Sequence, residues 1–439
     1  MYQYPAKKDN TGGIDRWQRL IRIGLRSLIN SKKRDEIFYA CIIVSTEIMN
    51  RTATTERVHE LMQDYARLTG LDPPGAPPRR YLWTDAFAVC NYLELFQKTH
   101  NVTYRELALR LVDQVHHILG RHRDDDPRTG WISGLSLQEG ELHPTAGGMR
   151  IGKSLPEREI NEPYNEQREW DRDGQYYHYL TKWMHALDRV SRVTGNPDYV
   201  TWAIELACTA HARFTYLPPT GGRKRMNWKM SIDLTRPLVP SMGQHDPLDG
   251  LVTYNELQLT ATRDFGQSVQ PVLVQEMADM TDICRGMSLD TADPLGIGGL
   301  LSDASRITQL TMQGGPVYAG LLETIIDSAL VGLDSLTESG ALELPARYRL
   351  AFREFGLSIG LAGVEKLPEW IGTNPNLFDG TSSLHQRVQA LHEYVPLREK
   401  IEQFWLDGKN RESGTWTEHL EINMVMFASS LAPDGFLGI

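Results

Sequence analysis

Cysteine is scarce. The 439 residues hold four, at Cys41, Cys90, Cys208 and Cys284, and no two form a CxxC pair. That excludes a disulfide-framed scaffold and a thiolate zinc site, and points to buried free thiols in a reducing cytoplasm. A basic surplus is missing too: 46 Lys and Arg stand against 56 Asp and Glu, a formal net charge of −10. Nucleic acid and anionic membranes both need a basic face, so neither is the expected partner. No apolar run approaches the roughly 18 residues of a bilayer span, and MYQYPAKKDN lacks the apolar centre of a signal peptide. HExxH, DxDD and DDxxD are absent. GGRKR at 221–225 has neither the spacing of a phosphate loop nor its Ser or Thr. Strand signals are almost absent as well. These gaps leave a soluble, cytoplasmic, helical protein with no expected catalytic metal and no cofactor.

Helical periodicity fills the space. In TYRELALRLVDQVHHILG, Leu107, Leu111, Val115 and Ile118 share one face. In ATTERVHELMQDYARLTG, Val58, Leu61, Tyr65 and Leu68 do the same. Other segments (DEIFYACIIVSTEIM, TDAFAVCNYLELF, EINMVMFASSL) are apolar all round and must be covered on every side. The two kinds alternate. Amphipathic helices are read near 14–30, 54–70, 104–120, 197–216, 268–288 and 385–407. Buried or mixed ones follow near 35–49, 84–98, 174–193, 247–262, 297–313 and 414–431. A further pair near 317–335 and 345–366 would make seven. An outer ring of amphipathic helices around an inner ring of buried ones is the economical arrangement. We therefore expect one all-α toroid over 1–439, with long loops at about 120–172 and 217–245 on the cavity rim.

WTDAF opens one inner helix and DRDGQYYHYLTKWMHAL another. With this alternation, the chain resembles the six-hairpin glycosidase-like superfamily, the (α/α)6 barrels. The resemblance covers most of the chain as architecture and is specific only in these short patches; the additional pair leaves room for a seventh hairpin. It implies a cavity walled by inner helices and a carbohydrate-active enzyme.

In the second patch, Leu180, Trp183, Met184, Leu187 and Val190 form a packing stripe. His178, Lys182, His185 and Arg189 form the opposite one, expected to line the cavity beside Tyr177. His178 and His185 stand about 10 Å apart along the axis, too far to share one metal ion. Carboxylates cluster where inner helices begin: Asp85, Asp173, Asp246 with Asp249, and Glu418. Asp is a favoured N-cap, so each alone reads as a cap. Their company suggests more, because Trp83, Trp170 and Trp416 lie two or three residues upstream and His245 precedes Asp246. Indole faces and carboxylates suit a sugar.

Glycoside hydrolysis needs two carboxyls, about 6.5–9.5 Å apart for inversion and about 5–5.5 Å for retention. Inner helices packed about 8–10 Å apart would present Asp85 and Asp173 at the inverting spacing. The resemblance implies the same, since unsaturated uronyl hydrolases of this fold take working aspartates from inner-helix mouths. We expect Asp173 as acid, its pKa raised by Glu169 and Asp171 and its water excluded by Trp170, with Asp85 as base and Asp246 as third candidate. Trp83, His143, Arg150, Tyr177, His178, His185, His245, Trp416 and Glu418 are the expected substrate contacts. His143, Arg150, Lys153 and Arg158, in the loop GELHPTAGGMRIGKSLPERE, would cap the cavity and could meet a uronate. Two alternatives remain open: a sugar epimerase or isomerase using His178, His185 or His245, and a non-catalytic binding toroid.

Overall fold

Helices with no face to water can exist only where neighbours cover them, and six inner helices here cover one another. In the computed structural model the described residues are 52–439, apart from 75–77, 240, 267, 268, 270, 271 and 379–381. The chain divides into a unit over 1–56 and a compact unit over 57–439, and every helix labelled below lies in the second. Its long helices are α1 (residues 57–68 of a helix described from residue 52), α2 (Leu82–Thr99), α3 (Val102–Leu119), α4 (Tyr177–Thr194), α5 (Pro197–Phe214) and α6 (Asp246–Thr260). They continue as α7 (Val274–Cys284), α8 (Pro294–Met312), α9 (Ala319–Glu338), α10 (Ala351–Val364), α11 (Pro396–Leu406) and α12 (Leu420–Leu431), with a short α13 (Asp434–Leu437) at the end. The helix expected near 385–407 is broken in two, a separate helix Ser382–His392 preceding α11.

The even-numbered helices from α2 to α12 form the inner ring. α2 buries every residue from Leu82 to Leu95, and α6 every residue from Asp246 to Leu257. α2 packs on α4, α4 on α6, α6 on α8, α8 on α10, α10 on α12, and α12 returns to α2. Asn91 seals this closure, donating to the Val425 carbonyl at 3.0 Å and accepting from Ser429 Oγ at 2.9 Å. The outer helices bury one stripe each. On α3 it is Tyr104, Leu107, Ala108, Leu111, Val112 and Val115, the 3.6-residue period of the sequence. Side-chain caps fix where several helices start: Asn101 accepts from Thr103 N, Asn196 from Asp198 N, and Asp293 from Gly296 N.

Among the described residues the ring closes with six hairpins, as the sequence resemblance implies. The pair near 317–335 and 345–366, as α9 and α10, is one of these six. The pair read at 14–30 and 35–49 lies outside the described residues. α8 and α10 approach so closely that a Cβ on Gly298 would stand 2.1 Å from the Gly356 carbonyl oxygen, which is why position 298 is glycine.

Strand pairing is confined to the long loops. β1 (Gln175–Tyr176), β4 (Lys229–Met230) and β5 (Pro237–Val239) form an antiparallel sheet in the order β1-β4-β5, and β2 (Thr215–Tyr216) pairs with β3 (Arg225–Met226). Because β1 runs straight into α4, both loops are held at the inner-helix mouths. The opposite end of the ring is stopped by residues 434–439. Phe436 stacks on Phe87 with ring centres 4.2 Å apart. Gln309 Nε2 donates to the Leu437 carbonyl at 2.8 Å, Gln313 Nε2 to that of Ile439 at 2.9 Å, and Arg189 Nη1 to that of Gly438 at 3.1 Å. Among the described residues no helix is long and apolar enough to cross a membrane.

Candidate active site

The N-terminal halves of the inner helices enclose a cavity of about 310 Å³, floored by Phe436. Trp83 comes from α2, His178 and Lys182 from α4, Asp246 and Asp249 from α6, and Asp303 and Arg306 from α8. His245, just before α6, completes the polar wall. The volume is at the small end for ligand sites, which run from about 300 to 1,000 Å³.

Three carboxyls here share nearly complete burial and differ in partners. Asp246 is the first residue of α6 and 6% exposed. Its Oδ2 has no hydrogen-bond partner among the described residues, and its Oδ1 lies 3.7 Å from His178 Nδ1, beyond hydrogen-bond reach. Gly243 makes room for it, because a Cβ there would stand 2.3 Å from Oδ2. Burial, reinforced by the charge of Asp249, pushes Asp246 up to about 8, so it is a neutral acid at pH 7. Asp249 lies one turn further along. Burial favours its neutral form too, but Lys182 Nζ at 2.6 Å, Arg306 at 3.8 Å and a hydrogen bond from Thr181 hold it below the usual carboxylate range. Asp303, with only Arg306 Nη1 at 3.5 Å, is pushed up to about 7 by burial and then by Asp249.

The histidines of the wall are uncharged at neutral pH. Desolvation lowers His178, helped by Lys182, although its side chain remains 37% exposed toward the cavity. Desolvation also lowers His245, whose Nε2 meets the Leu289 carbonyl at 2.9 Å.

The polar stripe of α4 faces inward as expected, but only its first half reaches the cavity. His178 and Lys182 line it. His185 is sealed below, its Nδ1 2.9 Å from Glu256, and Arg189 is bound to the chain's last turn. Glu256 also takes Arg306 and Arg192, so it is the anchor of a buried ionic cluster under the cavity floor.

Of the three carboxyls expected to act, only Asp246 lines the cavity. Asp85 is a cap and a clamp: its Oδ2 accepts from Tyr81 N at 2.9 Å, while its Oδ1 takes Tyr65 and Arg80, the latter at 3.2 Å. Asp173 accepts from the backbone N–H groups of Gly152 and Gly174, both at 3.0 Å, from Arg150 at 2.6 Å and from Arg123 at 3.3 Å. Its supposed helpers do other work. Trp170 is 54% exposed and packs against Trp228, and Glu169 is engaged by Arg158 and Lys229. The inverting pair therefore has no place in this cavity.

Among the expected contacts, Trp83, His178 and His245 line the cavity. Tyr177 is core, bonded to Tyr254 at 2.8 Å. Trp416 lies in an aromatic cluster with Trp405 and Phe355. Glu418 is exposed at the end of a short helix. His143 pairs with Glu205 on α5, and Arg150 is spent on Asp173 and two backbone carbonyls. The 139–158 loop contributes no residue to the cavity wall. Lys182 belongs to the stripe expected to line the cavity and does so, whereas Asp303 and Arg306 carry no expectation from the sequence analysis. The readable signal was SDASR, two opposite charges three residues apart inside an otherwise apolar helix.

No protein-family model matches the chain, and no curated protein matches it either. Solved structures resemble it in outline. An alpha-1,6-mannanase from Salegentibacter sp. HEL1_6 is 12% identical, covers 86% of this chain and 99% of its own, and has a TM-score of 0.46. The cellobiose 2-epimerase from Spirochaeta thermophila DSM 6192 is 13% identical, with 81% and 98% covered and a TM-score of 0.43. An alpha-mannanase from Bacteroides thetaiotaomicron is 10% identical, with 80% and 97% covered and a TM-score of 0.42. None of these likenesses assigns an activity to this chain.

Proposed function

We propose that the protein is a carbohydrate-active enzyme, a glycoside hydrolase working at the end of a short oligosaccharide, with Asp246 as general acid and Asp249 as the facing carboxylate. One observation carries this reading. Two carboxyls one helical turn apart line the same small cavity, one kept neutral and the other kept ionised. Environments that push two carboxyls apart in pKa mark acid and base assignments. The stopped floor supports a chain end, and the Trp83 indole supports a sugar face.

Residues three apart on a helix have Cβ atoms about 5–6 Å apart, close to the roughly 5–5.5 Å of retaining enzymes. Asp249 would attack the anomeric carbon while the leaving oxygen takes the Asp246 proton. Asp246, now a carboxylate, would then take a proton from the water that cleaves the glycosyl ester and releases Asp249. Lys182 and Thr181 hold Asp249 in place for the attack.

The test is turnover on aryl glycosides with graded leaving groups, with nuclear magnetic resonance of the first-formed anomer. Asp246→Asn should abolish cleavage of poor leaving groups and spare activated ones, while Asp249→Asn should lose both. An inverted product, near-normal cleavage of poor leaving groups by Asp246→Asn, or near-normal turnover by Asp249→Asn, would sink the pairing. A second reading, epimerisation, draws support from the neutral imidazoles of His178 and His245, either of which could accept a proton near pH 7. Deuterium entering a sugar C–H from D2O without hydrolysis would favour it.

A further inference from the structure

Charge at the cavity wall constrains which sugar fits. Besides the protonated Asp246, three carboxyls line the wall, Asp249, Asp293 and Asp303, together with two cations, Lys182 and Arg306. Both cations are already engaged: Lys182 by Asp249 at 2.6 Å, and Arg306 by Glu256 below the floor and by Asp303. At the rim, Asp293 holds Arg353 at 2.6 Å. A ligand carboxylate would therefore meet no unengaged cation among the described residues of the wall, and it would have to displace a protein carboxylate to gain one.

Acceptors, in contrast, are in surplus. Asp303 is 4% exposed and lines the cavity. Its one hydrogen bond runs from Arg306 to Oδ1 at the 3.5 Å limit, and Oδ2 accepts none among the described residues. Desolvated carboxyls with spare acceptor capacity attract a cation, because a charge-assisted bond is about twice as strong as a neutral one. With Asp246 left as the acid, Asp303 is the group free to take such a cation.

We infer that the sugar unit recognised in this cavity carries a free ammonium group, an amino sugar rather than a neutral sugar or a uronate, and that Asp303 receives it. This inference rests on the hydrolase reading for its sugar. Seating the ammonium on Asp303 leaves that side chain fully ionised, and any proton it carried passes to solvent.

The experiment is titration calorimetry at pH 7 and low salt with methyl glucosaminide, galactosaminide and mannosaminide. Their N-acetyl forms, their neutral parents and methyl glucuronide complete the set, with trans-4-aminocyclohexanol as a non-sugar amine. At least one amino sugar should bind about tenfold or more tighter than its neutral parent, and the glucuronide more weakly than either. In buffers of differing ionisation enthalpy, amine binding should release a fraction of a proton. Asp303→Asn should bring the amine to within about twofold of its parent in the same variant. A neutral sugar or uronide that matches the amine overturns the inference, and so does an amine preference that survives in the variant or the failure of every amine to bind. If amines are preferred but no glycoside is cleaved, the hydrolase reading fails while the charge assignment stands. If the non-sugar amine binds as tightly as the amino sugars, the sugar reading fails alone. Should Asp303→Asn not fold, wild-type ranking and proton release still decide.

Discussion

Replacing Asp246 by Asn should make the protein more stable at neutral pH and less able to turn over substrate. An unfolded Asp titrates near 3.9, whereas burial and Asp249 push the folded Asp246 up to about 8. Between these values the native state holds a proton that the unfolded chain has released, so stability falls as pH rises from about 4 to about 8. At about 1.36 kcal/mol per pH unit, wild type loses on the order of 4 kcal/mol through this group between pH 5 and pH 8. Asn has nearly the same shape, no proton to lose, and no titration. The other titrating groups, His178 and Asp303 among them, are common to both proteins and largely cancel in the difference. Urea unfolding of wild type and Asp246→Asn at pH 5, 6, 7 and 8 measures it directly. The variant's advantage should grow by roughly 3–4 kcal/mol over that range, with unchanged denaturant slope. A difference that stays flat would show that Asp246 titrates as an ordinary surface carboxyl, and the neutral-acid assignment would fall with it.

Further outcomes follow from the placement of individual side chains. Asp85→Ala and Asp173→Ala each leave buried arginines without their carboxylate and should cost about 3–5 kcal/mol in chemical denaturation, while kcat of the folded fraction stays near wild type. His178→Ala should weaken substrate affinity about tenfold with little change in Tm, since its ring faces the cavity. His185→Ala empties a sealed site beside Glu256 and should cost about 2–4 kcal/mol instead, read as a lowered Tm. Phe436→Ala removes the ring stacked on Phe87, at a cost of about 3–5 kcal/mol. By deepening the floor it should raise kcat/KM for the longest substrate relative to the shortest, and an unchanged ratio would show that the floor does not set depth.

The toroid was legible because covering rules act on whole helices. TDAFAVCNYLELF and EINMVMFASSL have no face that tolerates water, so they had to be inner, and Leu107, Leu111 and Val115 had to point at them. Long stripes average over many residues and survive local exceptions. The site was less legible because an acid at a helix start reads the same in each role. Asp85, Asp173 and Asp246 all sit at inner-helix mouths, yet Asp85 meets Arg80 and Tyr65, Asp173 meets Arg150 and Arg123, and Asp246 meets nothing. The arginines that silence Asp173 lie 23 and 50 residues away in a loop whose path no periodicity reveals. Trp170 misled for a related reason: adjacency in sequence does not fix direction, and its half-exposed ring lies against Trp228, outside the cavity wall.

Asp246 and Asp249 show which force decides protonation here. Both sit in the first turn of α6, where the helix dipole favours the anion by about 0.3–1 kcal/mol, up to about 2 when partly buried. Both are almost fully buried, which opposes the anion by several kcal/mol. The dipole is too small to reverse burial, so partners must settle the matter. Asp249 has Lys182, Arg306 and Thr181 and ionises. Asp246 has only the uncharged His178 near one oxygen and keeps its proton. Giving Asp246 a cation of its own should therefore turn the acid into a second carboxylate. His178 is the neighbour placed to supply it, its Nδ1 standing 3.7 Å from Asp246 Oδ1. In His178→Lys, an ammonium beside Asp246 should bring the carboxyl back toward its ordinary range. The pH dependence of stability between 5 and 8 should flatten, and proton-dependent turnover should be lost while the fold remains. A steep wild-type slope retained in His178→Lys would mean that something other than the missing partner keeps Asp246 neutral.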